Sequence, residues 1–350
     1  MAGSKDDPNL MTVESRAPGK RAPQLTATRR RIATLLLDHL VWLILVVVLI
    51  SFSLAIDQFF QVGIFINILR QATFVGILSV GLSLVLIGGH MDLSIESVMA
   101  FAAMITASLV ASGGVTFGAD INPWLTLPIA LAIGAVVGFG NGYLVAKLQI
   151  SAFIVTLAAF IGVRGLGLVM TGGRSVYGLP PDLRWVANTD LGGIPLMVLI
   201  LVVAYLAFHF ILTRTTFGRH IYLIGGNVTA PFRAGINVNQ MVIWVFVLSG
   251  VLAGLAGWLL SIRANGATPN LGFGMLFEAF AAVVIGGVSL KGGVGRLSGV
   301  FAGVLLLSAI DTAINVMGLP PQFMQVIRGG LVLVAVLLDS AKVMIRRRYL

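Results

Sequence analysis

Long apolar runs repeat along this chain, and they restrict what it can fold into more than any other feature. A helix needs about 20 apolar residues to cross the hydrocarbon core of a bilayer, and runs of that length recur from residue 33 to residue 344. The 350 residues are 58% hydrophobic and 10% charged, with a mean hydropathy of +1.00. This pattern predicts an all-α fold, a polytopic membrane helix bundle of about ten transmembrane helices.

The hydropathy pattern places the predicted spans at 33–56, 71–87, 95–112, 124–147, 152–171, 194–213, 239–262, 276–290, 297–315 and 324–344. Several spans are rich in glycine, notably 134–140 and 250–254. Small residues let helix backbones approach closely in lipid, so the spans predict a tight bundle.

Charge placement predicts the orientation of the bundle. Residues 1–31 are polar and basic and are interpreted as a disordered cytoplasmic tail, with 32–350 as the transmembrane domain. A signal peptide is the alternative, but the apolar run that follows is too long for one and shows no cleavage motif. With ten spans, most of the 23 lysines and arginines fall on the side of the tail. The positive-inside rule therefore predicts that both termini are cytoplasmic.

A short polar segment lies between the second and third predicted spans and overlaps the start of the third. It reads Gly88-Gly89-His90-Met91-Asp92-Leu93-Ser94-Ile95-Glu96-Ser97. A charged side chain at membrane depth costs roughly 2.5–3.5 kcal/mol, and irregular backbone there requires burial in protein or a water-filled cavity. One interpretation is a transport pathway or a gate, and the other is an ordinary tight connection at the membrane surface.

The longest internal loop on the predicted cytoplasmic side is 214–238. Thr229 followed by Pro231 is typical of a helix start, and Gly235 of a helix end. A short exposed helix here would suit docking of a soluble partner. The alternative is a basic loop that only obeys the positive-inside rule.

Several function classes are disfavoured by what the sequence lacks. It has no Walker A motif: Lys291 is followed by Gly292, and the pattern Gly-x-x-x-x-Gly-Lys-Ser/Thr does not occur. The chain itself is therefore not expected to bind ATP. It has no cysteine, and its four histidines are scattered, so neither a metal site nor a bound cofactor is expected. The net charge of +10 lies in short loops and tails, which argues against a nucleic-acid partner.

These motifs resemble the permease subunits of the bacterial sugar ABC importers of the ribose, xylose and galactoside type. That family has a Gly-Gly-Ile-Asp-Leu-Ser-Val-Gly-Ser signature, which resembles the segment 88–97. Its cytoplasmic loop, with Gly-Asn, Ala-Ala-Arg-Leu and then Ala/Ser-Gly-Ile, resembles 226–236. Two further matches are 215–219 and the glycines of 285–295.

The sequence departs from the family pattern in both motifs. Glu96 stands where the family has glycine, and His90 is an insertion-like change before Met91. Pro231 and Phe232 replace the second alanine and the arginine of the loop, and the arginine is displaced to Arg233. The docking helix is still expected, with its contact residues shifted.

The resemblance implies a subunit that forms the translocation pathway for a sugar and performs no bond chemistry. Its implied partners are a second permease subunit, a cytoplasmic ATPase that uses ATP, and a periplasmic binding protein, all at the bilayer of the bacterial inner membrane. The implied ATPase-coupling residues are Gly226, Asn227, Ala230, Phe232, Arg233, Ala234 and Gly235. The candidate pathway or gate residues are Gly88, Gly89, Asp92, Ser94, Glu96, Asp311 and Asn315.

Three expectations concern single side chains. Arg164 lies inside a span and needs a partner or water, for which Glu278 and Asp311 are the candidates. Asp311 and Asn315, one helical turn apart, either hydrogen-bond sugar hydroxyls or join two helices. The tryptophans are expected in interfacial belts near span ends.

Other solutes and other mechanisms stay open at this point. Related permeases serve nucleosides, branched-chain amino acids and autoinducers. An ATP-independent secondary transporter or channel is the remaining alternative, although it would need intramembrane ionisable groups for coupling, and the spans contain few.

Overall fold

The protein is a bundle of α-helices joined by short connections. A computed structural model describes residues 27–118, 121–227 and 235–320, together with 323, 326–327, 329–330, 333 and 337. Its helices are α1 (Ala27–Ala55), α2 (Val62–Ile87), α3 (Ile95–Val110), α4 (Thr126–Ala146), α5 (Ala152–Thr171), α6 (Pro181–Asn188), α7 (Leu196–Arg214), α8 (Thr216–Gly226), α9 (Val238–Ala264), α10 (Met275–Ile285) and α11 (Leu297–Val316). The all-helical fold class is therefore confirmed.

In the described ranges, six helices are long and apolar enough to cross a membrane: α2, α4 with the 3₁₀ turn before it, α5, α7, α9 and α11. Three shorter apolar helices accompany them, at His39–Ala55, Ile95–Val110 and Met275–Ile285. The predicted span 324–344 lies outside the described residues except for scattered positions. Helix α1 begins at Ala27, inside the predicted tail, and residues 1–26 are likewise outside the described part.

Two predicted spans are shorter in the structure than the hydropathy pattern indicated. Helix α3 has 16 residues and α10 has 11. At about 1.5 Å per residue, neither reaches across a 30 Å core. The reason is that turns rich in glycine and serine at their ends are apolar enough to extend a hydropathy window without being helical.

Helix α2 begins earlier than predicted, at Val62 instead of residue 71. Asn67 and Arg70, which precede the predicted span 71–87, therefore lie within this helix. The guanidinium of Arg70 is 3.4 Å from the carboxylate of Asp190, and both side chains are partly exposed. Such a pair contributes at most about 1 kcal/mol to stability.

Helix α2 is the buried centre of the bundle, while α5 and α7 expose most of their apolar surface. The closest helix pair is α4 with α9. A methyl group on Gly134 would overlap the carbonyl oxygen of Gly250, and one on Gly138 would overlap that of Phe246. Glycines four residues apart thus let the two backbones touch, as the glycine-rich spans predicted.

The strands are two-residue segments in the connections. Strands β1 (Gly113–Gly114), β2 (Val176–Tyr177) and β5 (Gly266–Ala267) form one antiparallel sheet in the order β1-β2-β5, and β3 (Asp190–Leu191) pairs with β4 (Ile194–Pro195). The first sheet ties together the connections that follow α3, α5 and α9.

Helices α2 and α10 end in the same way. Gly89 and Gly287 adopt left-handed backbone, with φ of 80° and 91°. In α2, the amide of Gly89 donates to the carbonyl of Leu86, and the amide of His90 donates to that of Val85. The equivalent bonds form after α10, so both Ile-Gly-Gly segments are Schellman motifs. The polar link 88–94 follows one motif and the link 288–296 follows the other.

Candidate functional site

The carboxyl group of Asp92 holds the start of α3 inside the bundle. Its Oδ1 accepts hydrogen bonds from the amide and the hydroxyl of Ser94, at 2.9 and 2.6 Å. Its Oδ2 accepts one from the hydroxyl of Ser249 on α9, at 3.0 Å. Asn141 on α4 donates from Nδ2 to the Ser94 hydroxyl at 2.9 Å. One short polar cluster therefore joins α3, α4 and α9.

Burial argues against one interpretation of the polar segment, a turn at the membrane surface. Asp92, Ser94 and Glu96 are each 2% exposed or less. Asp92 also bonds to Ser249, near the middle of the 27-residue helix α9. A turn at the membrane surface would leave these side chains exposed and at a helix end. The segment is instead a polar break within the bundle.

Glu96 forms a second cluster one turn further along α3. Its Oε2 accepts hydrogen bonds from the amides of Gly274 and Leu276, both at 3.0 Å, at the start of α10. Its Oε1 lies 3.1 Å from Nη1 of Arg164 on α5. A carboxylate at a helix N-terminus satisfies unpaired amides and interacts favourably with the helix dipole.

Arg164 is held on the other side by the loop before α10. Its Nη2 lies 3.4 Å from the carbonyl oxygen of Pro269 and 3.4 Å from Oδ1 of Asn270. Its guanidinium stands 5.1 Å from the ring centroid of Phe273, a cation–π distance. The expectation that Arg164 pairs with Glu278 or Asp311 was wrong, because its carboxylate partner is Glu96. Glu278 is 4% exposed, although it lies in the first turn of α10.

The two short helices therefore begin close together in the interior of the bundle. Glu96, in the first turn of α3, reaches the first turn of α10. Since Asp92 lies beside the middle of α9, the N-terminus of α3 starts well away from the ends of that long helix. Discontinuous helices that meet inside a bundle are a common construction of substrate pathways in transporters.

The predicted coupling segment is described only at its edges. Gly226 ends α8, Asn227 follows it, and both are exposed, as is Gly235, which has a φ of 72°. Ala230, Phe232, Arg233 and Ala234 lie outside the described residues, so the short helix predicted there stays a prediction. Sequence reasoning missed α8 itself, although Thr215 was an available signal for a helix start. The hydroxyl of Thr215 accepts a hydrogen bond from the amide of Gly218 and so caps the helix.

The polar segment 88–97 lies next to the start of the predicted coupling segment 226–236. A methyl group on Gly89 would lie 3.3 Å from Cα of Gly225, the residue before Gly226. The polar break and the end of α8 are thus in backbone contact.

Asp311 and Asn315 do not share one environment. Asp311 is 5% exposed on α11, whereas Asn315 is exposed near the end of that helix. A joint role facing the bundle interior does not fit this arrangement. Among the tryptophans, Trp124, Trp185 and Trp244 are exposed as a belt requires, but Trp258 is 3% exposed and donates from Nε1 to the hydroxyl of Thr126.

Sequence reasoning also missed Ser249 and Asn141, the partners of the Asp92 cluster. The available signal was a polar side chain within an apolar, glycine-rich run, as in Gly142 next to Asn141 and Gly250 next to Ser249. Polar residues buried in a bundle need hydrogen-bond partners. Which residues supply them depends on how the helices cross.

Replacing Asp92 with alanine is expected to reduce solute uptake about tenfold or more, and the amount of protein in the membrane much less. The apolar runs determine insertion, whereas the start of α3 depends on hydrogen bonds that contribute about 1.5–3 kcal/mol when the acceptor is charged. Uptake in cells, divided by the protein amount from an immunoblot, measures this. Ser249→Ala, which removes one of the bonds, is expected to have a smaller effect. A parallel fall of uptake and protein amount would contradict the prediction.

Comparison with known proteins gives consistent relationships over most of the chain. The family model described as "Branched-chain amino acid transport system / permease component" matches residues 64–336. The ribose import permease protein RbsC of Escherichia coli K12 is 36% identical over 310 residues, which are 86% of this chain and 93% of that protein. No solved structure matches the chain significantly.

Two further relatives extend the set. The ribose import permease protein RbsC of Bacillus subtilis 168 is 34% identical, over 85% of this chain and 91% of that protein. The L-arabinose ABC transporter permease protein AraH of Azospirillum brasilense is 32% identical, over 85% of this chain and 86% of that protein. Identity at this level over nearly the full length, with a family match to most of the bundle, places the chain among membrane permease components. The chain belongs to the family of branched-chain amino acid transport system permease components.

Proposed function

We propose that this chain is the permease subunit of an ABC importer and forms the pathway through which a sugar crosses the membrane. The observation that supports this most is the similarity to the ribose and L-arabinose permeases over nearly their whole length. The buried polar break at Asp92 and the paired short helices agree with a transport role, since such features are expensive in a bundle that only spans the membrane.

We propose further that the chain crosses the bacterial inner membrane ten times with both termini in the cytoplasm. The six long apolar helices and the apolar segment His39–Ala55 of α1 support seven of these crossings. In this proposal α3 and α10, too short to cross alone, each complete a crossing with the irregular segment next to them, and the apolar run 324–344 supplies the tenth. The excess of lysine and arginine on the side of residues 1–31 supports the orientation.

The proposed assembly has two permease subunits, a cytoplasmic ATPase pair and a periplasmic binding protein. ATP is used by the ATPase, whose closure moves the segment 226–236 and opens the pathway outward. By reciprocity of coupling, the docked binding protein in turn favours ATPase closure. In this scheme the Asp92 and Glu96 clusters set the position of α3 and α10 along the pathway, while the permease makes and breaks no covalent bond.

The direct test is purification of the tagged full chain from its native membrane in mild detergent, followed by mass spectrometry. Co-purification of a P-loop ATPase is expected. A chain recovered alone, under conditions that keep a known ABC importer intact, would contradict the proposal and favour an autonomous transporter.

The substrate class is tested on the co-purifying binding protein. D-ribose, L-arabinose, D-xylose and D-allose form the sugar panel, and L-leucine and adenosine represent the alternatives of a branched-chain amino acid or nucleoside importer. A rise in the thermal unfolding midpoint with a sugar alone is expected. A rise only with leucine or adenosine would keep the ABC assignment and overturn the sugar assignment.

Reversing the charge at Arg233 is expected to reduce recovery of the ATPase with the permease about tenfold, which corresponds to roughly 1.4 kcal/mol of binding free energy. The reason is that Arg233 matches, one position displaced, the arginine of the family's cytoplasmic loop. Arg219→Glu is the matched control, because Arg219 is an exposed basic residue of the neighbouring helix α8. Equal recovery of the ATPase with Arg233→Glu and the unmodified chain would exclude this contact.

A further inference from the structure

Three glycine-containing segments from distant parts of the chain meet at the end of α8. We call this contact the glycine junction, formed by Gly89, Gly225, Gly226, Gly292 and Gly293. Gly89 belongs to the link after α2, Gly225 and Gly226 end α8, and the last two belong to the link after α10. The amide of Gly293 donates a 2.8 Å hydrogen bond to the carbonyl of Ile87 and so connects the two links.

The contact is between main chains, with no space for a side chain at Gly225 or Gly292. A methyl group on Gly225 would overlap the carbonyl oxygen of Ile87 and lie 2.6 Å from the amide nitrogen of Gly293. A methyl group on Gly292 would lie 2.7 Å from the carbonyl oxygen of Gly225 and 2.7 Å from Cα of Gly89.

A polar contact supports the same arrangement. The hydroxyl of Tyr222, one turn before Gly225 in α8, donates a 2.8 Å hydrogen bond to the carbonyl of Gly295. Helix α8 therefore contacts the link after α10 at two positions, one helical turn apart. Its buried residues, Ile221 and Ile224, lie on the face toward the bundle.

Direct backbone contact has a mechanical consequence. When two segments touch through side chains, rotamer changes absorb part of a displacement. Main-chain atoms in van der Waals contact have no such freedom, and close-packed interiors transmit strain. A displacement of the end of α8 must therefore displace the link that leads to Asp92, the link after α10, or both.

We infer that the glycine junction transmits movement of α8 to both breaks in the bundle, with Gly225 as its main positioning residue. The inference rests on the proposed function, in which the ATPase moves the segment 226–236. Gly226, the first residue of that segment, is the last residue of α8. One link leads from Gly89 to Asp92, and α3 leads on to Glu96 and the first turn of α10. The other link leads directly from Gly293 to α11.

The test compares alanine at two glycines that both lie in helices. Gly225→Ala introduces the overlap with Ile87, whereas a methyl group on Gly140 of α4 meets no atom of the described residues within 4 Å. Each variant is reconstituted into lipid vesicles with the co-purified ATPase and binding protein. ATPase recovery, basal ATP hydrolysis and sugar uptake are measured for both variants and for the unmodified chain.

Gly225→Ala is expected to retain the ATPase and to hydrolyse ATP at a basal rate within about twofold of the unmodified complex, while uptake falls about tenfold, within the usual range of coupling between sites. Gly140→Ala is expected to stay within about twofold in all three measurements. Uptake by Gly225→Ala equal to that by Gly140→Ala would overturn the inference. Loss of ATPase recovery in step with uptake would also overturn it, because the junction would then only shape the docking surface.

Tyr222→Phe tests the same inference without adding volume, and so covers the case in which Gly225→Ala does not accumulate. It is expected to lower uptake about threefold at unchanged ATPase recovery, within the range of coupling changes from such contacts. Uptake equal to that of the unmodified chain would overturn the role of this attachment. Failure of the unmodified chain to retain any ATPase would instead refute the proposed function, which keeps the two failures distinct.

Discussion

Replacing Gly250 with leucine is expected to abolish accumulation of the folded protein. Gly250 faces Gly134 across the crossing of α4 and α9, and a methyl group on either residue would overlap the carbonyl oxygen of the other. Even small additions to a filled interior cost about 1–3 kcal/mol. Leucine adds four carbon atoms where backbone touches backbone, so α4 and α9 must separate along their whole contact.

Separation of α4 from α9 would also displace the Asp92 cluster. Ser249 is adjacent to Gly250, and Asn141 lies on α4 one residue before Gly142. The variant is therefore expected to lose uptake completely together with its monodisperse peak in detergent size-exclusion chromatography. Gly250→Ala is expected to lower the free energy of unfolding by about 1–3 kcal/mol.

Gly140→Leu is the control for this experiment. Gly140 lies on α4 between Gly138 and Gly142, but no atom of the described residues lies within 4 Å of a methyl group placed on it. It is expected to yield folded protein at the level of the unmodified chain. Normal recovery of Gly250→Leu would show that the α4–α9 contact contributes little to the fold.

Replacing Arg164 with methionine is expected to destabilise the protein by about 3–5 kcal/mol, the usual cost of removing one partner of a buried ion pair. The side chain of Glu96 is 2% exposed and that of Arg164 is 17% exposed. Without Arg164 the carboxylate keeps two backbone amides as partners but loses its counter-charge in a site of low dielectric. The unfolding midpoint of the purified protein measures the effect.

The double variant Glu96→Gln with Arg164→Met is expected to be more stable than Arg164→Met alone. The glutamine carbonyl still accepts hydrogen bonds from the amides of Gly274 and Leu276, and no charge is left buried. A double-mutant cycle over the four proteins isolates the interaction between the two side chains. Simple addition of the two single effects would mean that the pair does not interact in the folded protein.

Some parts of this arrangement were predictable from the sequence, and the reasons are physical. Apolar runs and glycine spacing are local properties, so the helical bundle and its tight packing followed from them. The Gly-Gly segment at 88–89 follows directly on the predicted span 71–87, whereas the one at 286–287 fell inside the predicted span 276–290, although left-handed backbone at a helix end favours glycine. The buried site residues Asp92 and Ser94 were singled out because a carboxylate between two apolar runs is expensive.

Other parts depend on which helices cross and so were not predictable from the sequence. Arg164 and its partner Glu96 are 68 positions apart, and Gly274 and Leu276 lie about 180 positions from Glu96. Nothing local distinguishes Glu96 from Glu278 as the partner of Arg164. The lengths of α3 and α10 were missed because hydropathy averages over a window and does not detect where hydrogen bonding stops.

The arrangement around Glu96 has a consequence for sequence divergence within the family. The family signature has glycine at this position, and a glycine there supplies neither a counter-charge for Arg164 nor acceptors for the two amides of α10. A change at residue 96 or residue 164 alone leaves a charge buried without its partner. The two residues are therefore expected to change together. A lineage can gain or lose this pair cheaply only by a route that leaves neither charge buried alone.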